Sequence, residues 1–293
     1  MLSPTPSRSG LRCRQIADAD LNAVAALLAR GFRNRNRGFW LRALTRLQRR
    51  EVPPGLPQYG YLLQSDGEIV GALLVICTAI PAGEAAVTRC NLSSWYVEPK
   101  FRAYASLLVA QATRQKEVTY LNVSPAPHTR PIIEAQGFSR YCDGVFIAVP
   151  MLNGLFGGER IKAFGAEQTP RQPYDPGAQE LLRRHAALGC ISLWCETSAR
   201  AYPFVFGRRL IRNVVPCAQL VYCHDIDDFV RCAGPLGRYL ARRGAPFVIL
   251  DANGPVAGLA GFYRRGAMPK YFRGRERPRL GDLAYTEYAY LGL

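Results

Sequence analysis

Hydrophobic positions change period several times along this chain of 293 residues. Residues 11–16 predict a short strand. Leu21, Val24, Ala25, Leu27 and Leu28 then recur at helical spacing behind Asp18 and Asp20, either of which can cap the helix. Over 31–50, Phe39, Trp40, Leu41, Leu44 and Leu47 sit between arginines and predict an amphipathic helix with a basic outer face. The run VPPGLP at 52–57 breaks it. Residues 60–64 and 69–76 are β-rich runs around Ser65-Asp66-Gly67-Glu68, and a D-G pair between such runs predicts a hairpin.

The stretch 91–108, NLSSWYVEPKFRAYASLL, organises the first half. It reads as a buried strand, a turn at Glu98-Pro99, and a helix continuing through Leu107 to Arg114. A helix N-terminus at a strand end offers unpaired N–H groups and a favourable dipole to an anion. Arg102 adds a fixed positive charge, while Ala103 and Ala105 leave room for close approach. Residues 118–123 predict another strand, 130–136 a short helix closed by Gly137, and 138–150 a final strand. Three antiparallel strands followed by a parallel strand-helix-strand leave a wedge where the two pairings meet, the kind of place where ligands bind in open sheets.

This order of elements resembles the GNAT family of acyl-CoA-dependent N-acyltransferases. The D-G hairpin followed by I-V-G-A-L-L is similar to that family's second and third strands. Tyr96-Val97-Glu98-Pro99-Lys100-Phe101-Arg102 resembles the V-x-P-x-[FY]-R that ends its fourth, and Gln136-Gly137-Phe138 resembles the G-F after its last helix. The resemblance covers 11–150. It implies a carrier pyrophosphate on the turn after the fourth strand and a pantetheine paired with that strand, hence cofactor contacts at Tyr96, Val97, Arg102, Ala103, Tyr104, Ala105 and Ser106. The co-substrate implied is acetyl-CoA or a longer acyl-CoA, and the acceptor an amine of a small molecule or peptide. Two positions depart from the family. Its turn runs [QR]-x-x-G-x-[GA], whereas Ala105 and Leu107 stand here, and Ile133 stands where a tyrosine often protonates the leaving thiolate.

Residues 151–177 are rich in Gly and Pro and read as a connector with a short helical piece near 160–163. The rest, 178–293, reads as a helix (178–188), strands at 191–196, 202–206 and 214–223, a helix opened by Asp227-Asp228 and running to 243, a strand at 246–251 and a closing strand at 280–291. The expected fold is therefore α/β with a mixed sheet: two GNAT-like domains in tandem, the second divergent. A competing alignment matches LLQSDGEIVGAL with ILDANGPVAGLA and would make the latter a hairpin. In the first register, Asp225, Asp227 and Asp228 stand where a phosphate site would be and would repel a pyrophosphate, so a carrier belongs to the first half.

Composition narrows this further. The net charge of +16 comes from four lysines (Lys100, Lys116, Lys162, Lys270) and 34 arginines. Those arginines are spread along the chain with no basic run carrying interleaved aromatics, which disfavours nucleic acid as a partner. Nine cysteines without a C-x-x-C fit neither a disulfide framework nor a zinc site. Most lie in apolar runs, read as reduced packing residues, and with them a cytoplasmic protein follows; Cys90 is among them. The N-terminal MLSPTPSRSG lacks an apolar run and reads as a loose tail, and no apolar run is long enough to span a bilayer.

Acyl transfer needs a base, an oxyanion stabiliser and an acid for the thiolate. Four candidates for this catalytic work follow. Glu98 ends the central strand and can equally be a solvated turn residue. Asn122 ends the 118–123 strand and can equally cap a turn. His128, in the loop after it, has the side chain most used as a base at neutral pH. Tyr141, just past Gly137-Phe138, could replace the missing acid. In the second half Asp251, Asn253, Asp282, Thr286 and Glu287 are polar positions in apolar surroundings. A GNAT-like chain that binds a ligand without turnover is the alternative to an enzyme.

Overall fold

The computed structural model describes residues 10–82, 85–153, 161–211 and 214–292. The 1–9 tail, 154–160 of the connector, and the side chains of 81, 82 and 85 lie outside that description. The elements in order are strand β1 (Leu11–Gln15), helices α1 (Leu21–Gly31) and α2 (Arg37–Gln48), strands β2 (Gly60–Ser65), β3 (Glu68–Ala82) and β4 (Ala85–Val97), helix α3 (Ala105–Ala112), strand β5 (Thr119–Asn122), helix α4 (Arg130–Ala135) and strand β6 (Ser139–Ala148). Then come β7 (Lys162–Gly165), α5 (Pro176–Ala187), β8 (Ile191–Glu196), β9 (Ala201–Ile211), β10 (Val215–Cys223), α6 (Ile226–Ala241), β11 (Phe247–Ala252), β12 (Gly261–Arg273) and α7 (Glu287–Tyr290).

The chain divides into two compact units, one of Met1–Ser139 with Tyr271–Glu276, the other of Arg140–Lys270 with Arg277–Leu293. This differs from the expected division at 11–150, 151–177 and 178–293. Each unit completes its sheet with a strand from the other half of the sequence. In the first unit the strand order is β1-β2-β3-β4-β5 and then the end of β12, whose Tyr271 faces Asn122. In the second it is β12-β6-β11-β10-β9-β8-β7, so β6 lies beside β11. Strand β7 also replaces the helical piece expected near 160–163, because Lys162 to Gly165 pair in antiparallel register with Glu196 to Leu193.

The first unit follows its hydrophobic pattern. Asp66 and Gly67 both have positive φ (48° and 87°), as the tight turn between β2 and β3 requires. Gly137 closes α4 at φ 84°. The core joins Leu63, Leu73, Val75 and Leu92 of the sheet to Leu108 and Val109 of α3 and to Ile133 and Tyr271. Neither expected cap bonds the start of α1. Asp20 instead accepts from both Arg14 nitrogens (2.6 and 2.8 Å) and from Ala17 N–H, and Asp18 accepts from Tyr59 Oη. Those longer-range partners compete for the carboxylates and win.

Two cysteine expectations change. Cys77 and Cys90 face each other across β3 and β4 and form a disulfide, because the register places them directly opposite. The other seven remain thiols.

The second unit is built around Phe204, Phe206, Phe229, Leu236 and Leu250. Strand β11 has β10 and β6 as neighbours, so ILDANG is not half of a hairpin; β10, like β4, pairs antiparallel on one side and parallel on the other. The expected closing strand at 280–291 is a single antiparallel bridge, Tyr222 to Asp282, followed by α7. Positive φ at Gly281 (76°) and Tyr285 (58°) prevents a longer run. The stretch before it, to which the sequence pattern assigns no element, contains β12.

Candidate functional site

Strand β4 is held on one side by β3 along its length and on the other by β5 only over Arg89 to Asn91. The parallel pairing stops where the Asn91 amide donates to the carbonyls of Leu92 (3.1 Å) and Leu121 (3.4 Å), filling the point of the wedge. Beyond it, the β5-facing edge of residues 92–97 has no strand partner among the described residues. One residue of β4 is extra in the β3 register between Ser93 and Tyr96, and Ser94 takes φ 52°. A bulge of this kind bends the strand and re-aims its side chains.

A cleft of about 450 Å³ opens beside this edge, lined by Trp95, Tyr96, Val97, Arg102, Ala105, His128, Thr129 and Ile132. Each lining group has a structural reason to be there. Tyr96 is wedged against the end of α1, where a side chain on Gly31 would strike its ring at 2.3 Å, and it meets Phe32 at 6.5 Å between ring centroids. His128 sits in a single 3-10 turn, Pro127–Thr129, fixed by Thr129 Oγ1 donating to Ala126 carbonyl. Trp95 Nε1 is buried with no hydrogen-bond partner among the described residues, which leaves a donor at the cleft wall.

The structure brings together Tyr96, Val97, Arg102, Ala105 and His128 of the expected residues. Arg102 and His128 are exposed, and Val97 is buried. The other candidates stand elsewhere. Ala103, Tyr104 and Ser106 do not line the cleft. Tyr104 packs against the core, and Ser106 carbonyl accepts from Gln136. Glu98 is engaged by the Arg30 guanidinium at 2.9 Å. Asn122 lies opposite Tyr271 at the end of β5. Tyr141 belongs to the second unit, where it is buried and its carbonyl accepts from Asn253 Nδ2. Sequence reasoning missed Trp95, Thr129 and Ile132. Strict alternation along a strand puts Trp95 and Tyr96 on opposite faces, and only the bulge at Ser94 lets both reach one cleft.

The turn after β4 differs from expectation in one respect. Residues Pro99–Tyr104 form a 3-10 helix that runs directly into α3. Phe101 N–H donates to Glu98 carbonyl (2.9 Å) and Ala105 N–H to Arg102 carbonyl, so two N–H groups near this turn are already used. The Arg102 guanidinium is exposed beside this turn. Leu107 is 45 % exposed and takes no part in the lining.

The second-half candidates form structural contacts. Asp251 pairs with Lys270 at 2.8 Å, both almost fully buried. Burial raises the Asp251 carboxyl above its usual range, opposed by the Lys270 charge. Burial pulls the Lys270 ammonium down, but Asp251, Tyr288 and Cys142 outweigh it and hold it charged. Thr286 and Glu287 are buried in the second unit, and Asp282 meets Arg279 at 3.7 Å. Among the described residues no group of three metal-binding side chains occurs, and no helix is long and apolar enough to cross a membrane.

No protein-family model matches the chain, and no curated protein matches it either. Solved structures do. A protein from Pyrococcus horikoshii assigned as an acetyltransferase is similar over 99% of both chains at 11% identity and a TM-score of 0.57. A GCN5-related N-acetyltransferase from Anabaena variabilis covers 90% of this chain and 72% of its own, at 10% identity and a TM-score of 0.57. One from Kribbella flavida covers 90% and 70%, at 16% identity and 0.55. The fold is that of the GCN5-related N-acetyltransferases, a mixed α/β arrangement in keeping with the expected class.

Proposed function

We propose that the chain is an acyl-CoA-dependent N-acyltransferase whose carrier lies in the first unit. The observation that supports this is the unpartnered edge of residues 92–97 beside a cleft that also holds Arg102 and His128. An extended pantetheine arm can add to that edge as a strand does, by main-chain hydrogen bonds. Arg102 takes the phosphate end by a charge-assisted contact. Main-chain N–H groups near Tyr96 and Val97, just past the bulge, are the donors proposed for the thioester carbonyl, where a developing oxyanion needs them. His128 is the group in the lining suited to accept the amine proton. The acceptor is an amine of a small molecule or peptide, and the carrier acetyl-CoA or a longer acyl-CoA. A cytoplasmic setting rests on the seven thiols, with the Cys77–Cys90 disulfide arguing the other way.

One observation favours the second reading, a carrier-binding protein without turnover. Ile133 has no ionisable proton, and Glu98 is tied to Arg30, so neither serves as an acid for the thiolate. The two readings separate in one experiment. Acetyl-CoA and longer acyl-CoAs are titrated by calorimetry, and thiol release is followed over a panel of amines. Binding with release that is lost in His128→Ala supports the enzyme; binding without release on any amine supports the second reading. Absence of binding below about millimolar, with no change in Arg102→Ala, ends both. A charged phosphate contact contributes roughly 1.5–3 kcal/mol, so that substitution should weaken binding by about ten- to a hundredfold.

A further inference from the structure

The second unit repeats the wedge of the first and fills it. Strand β10 pairs in parallel with β11 only over Cys217 to Gln219, as β4 does with β5 over Arg89 to Asn91. Each pairing ends at a buried amide side chain that donates to the next carbonyl: Gln219 to Leu220 at 3.3 Å, Asn91 to Leu92 at 3.1 Å. Each strand carries one extra residue just beyond, between Leu220 and Tyr222 in β10. In the first unit the edge past that point faces the cleft. In the second it is taken by residues 279–283. Leu283 N–H donates to Val221 carbonyl (2.7 Å), Cys223 N–H donates to Gly281 carbonyl (2.9 Å), and Asp282 lies opposite Tyr222.

The filling segment is fitted closely. Arg279 Nη1 donates to Cys223 carbonyl at 2.6 Å, and its guanidinium covers the Tyr222 ring at 5.1 Å. Gly281 has φ 76°, and a Cβ there would lie 2.6 Å from Cys223 Sγ. Further along, Tyr285 N–H donates to His185 Nε2 (3.1 Å), and Leu283, Ala284, Tyr288, Ala289 and Leu291 are buried. The helix after β10 begins with Asp225, Asp227 and Asp228, carboxylates that occupy the helix N-terminus, with Arg200 and Arg231 near Asp228 and Arg279 already bound to the Cys223 carbonyl.

We propose that the second unit holds a closed copy of the carrier groove, sealed by residues 279–291, so that the chain takes one acyl-CoA and takes it in the first unit. The single-carrier part rests on the acyltransferase reading above; the seal itself does not. In the second unit the protein's own segment pairs with the strand edge; in the first, the proposal gives that edge to the amide groups of an extended cofactor arm.

Two measurements on the full chain test this. Hydrogen exchange reads the seal: the Cys223 and Leu283 amides should exchange at least about a hundredfold more slowly than unprotected ones. Leu283→Pro, which removes the donor to Val221, should speed Cys223 exchange by about tenfold. Unprotected exchange at both amides in the unaltered chain overturns the seal, whether or not the variant folds. Calorimetry with acetyl-CoA reads the count: one equivalent, weakened by Arg102→Ala, is expected. Two equivalents, or one that is indifferent to Arg102→Ala, overturn the proposal. A chain that binds no acetyl-CoA ends the acyltransferase reading and with it the single-carrier part, and exchange alone then decides whether the seal stands.

Discussion

Replacing Lys270 with Met should destabilise the second unit by about 3–5 kcal/mol, the range seen when one partner of a buried ion pair is removed. Two opposed quantities set this range. At the 2.8 Å separation from Asp251, an effective dielectric of 20 gives an attraction of roughly 6 kcal/mol. Withdrawing both ions from water costs several kcal/mol each, so the intact pair contributes little net stability. Removing the ammonium leaves the cost of the carboxylate without its attraction. Lys270 Nζ also donates to Met268 carbonyl at 3.3 Å, and Met268 sits at φ 52°, so this backbone kink loses a support as well. The companion change Asp251→Leu in the Lys270→Met background should restore stability to within about 1 kcal/mol of the parent, because neither charge is then buried. Urea unfolding followed by far-UV circular dichroism measures both. A cost under about 1 kcal/mol for Lys270→Met alone, or no recovery in the double variant, would show that the pair is not held as a desolvated ion pair.

Other outcomes follow from the first unit. Gly31→Val must push the Tyr96 ring aside, given a 2.3 Å approach at Cβ; acetyl-CoA binding should weaken by about tenfold or more, and an unchanged Kd would mean that Tyr96 does not shape the carrier site. The Asp20 carboxyl is held below its ordinary value chiefly by its hydrogen bond to Arg14. A lowered folded pKa gives stability that is present above the unfolded value and lost as pH falls through the folded one. Asp20→Asn should therefore flatten the acid limb of the stability curve below about pH 4. The effect is at most about 1 kcal/mol because Arg14 is 40% exposed; parallel acid limbs in parent and variant would count against it. Replacing both Cys77 and Cys90 by Ser, 13 residues apart, should lower stability by roughly 3 kcal/mol in chemical unfolding. No loss under non-reducing conditions would mean that the pair is not bridged in solution.

How much of this was legible in sequence depends on the range of the interaction involved. The Asp66-Gly67 turn and the Gly137 helix stop are local, and the sequence pattern places both correctly. Strand 191–196 is likewise found at its observed limits, since a short apolar run specifies itself. The exchange of β6 and β12 is not local: nothing in FVILDA says that its neighbour will be a strand a hundred residues earlier. The cleft was half visible. Tyr96, Val97 and Arg102 come from a contiguous motif, whereas Thr129 and Ile132 reach the same space only through the packing of α4. Tyr141 shows the converse error, because closeness in sequence to Gly137-Phe138 places it at the foot of a strand that continues in the other unit.

The two wedges show how one backbone device acquires opposite outcomes. In each, a parallel pair separates after three residues, a buried amide caps the separation, and a bulge bends the strand beyond it. An exposed row of unsatisfied N–H and C=O groups is costly in an apolar setting and invites a partner. The second unit satisfies this row permanently, with Gly281 and Leu283 supplying the matching groups. The first leaves it facing a cleft that ends at Arg102. The charge beside the following helix also differs: Arg102 stands at one, while at the other Asp225, Asp227 and Asp228 share the strand end with Arg279, which is spent on the Cys223 carbonyl. An edge with a cation at its end suits an anionic carrier. An edge with three carboxylates does not, and closing it with the protein's own chain removes an adhesive strand edge without giving up a binding site that the local charge would have made poor.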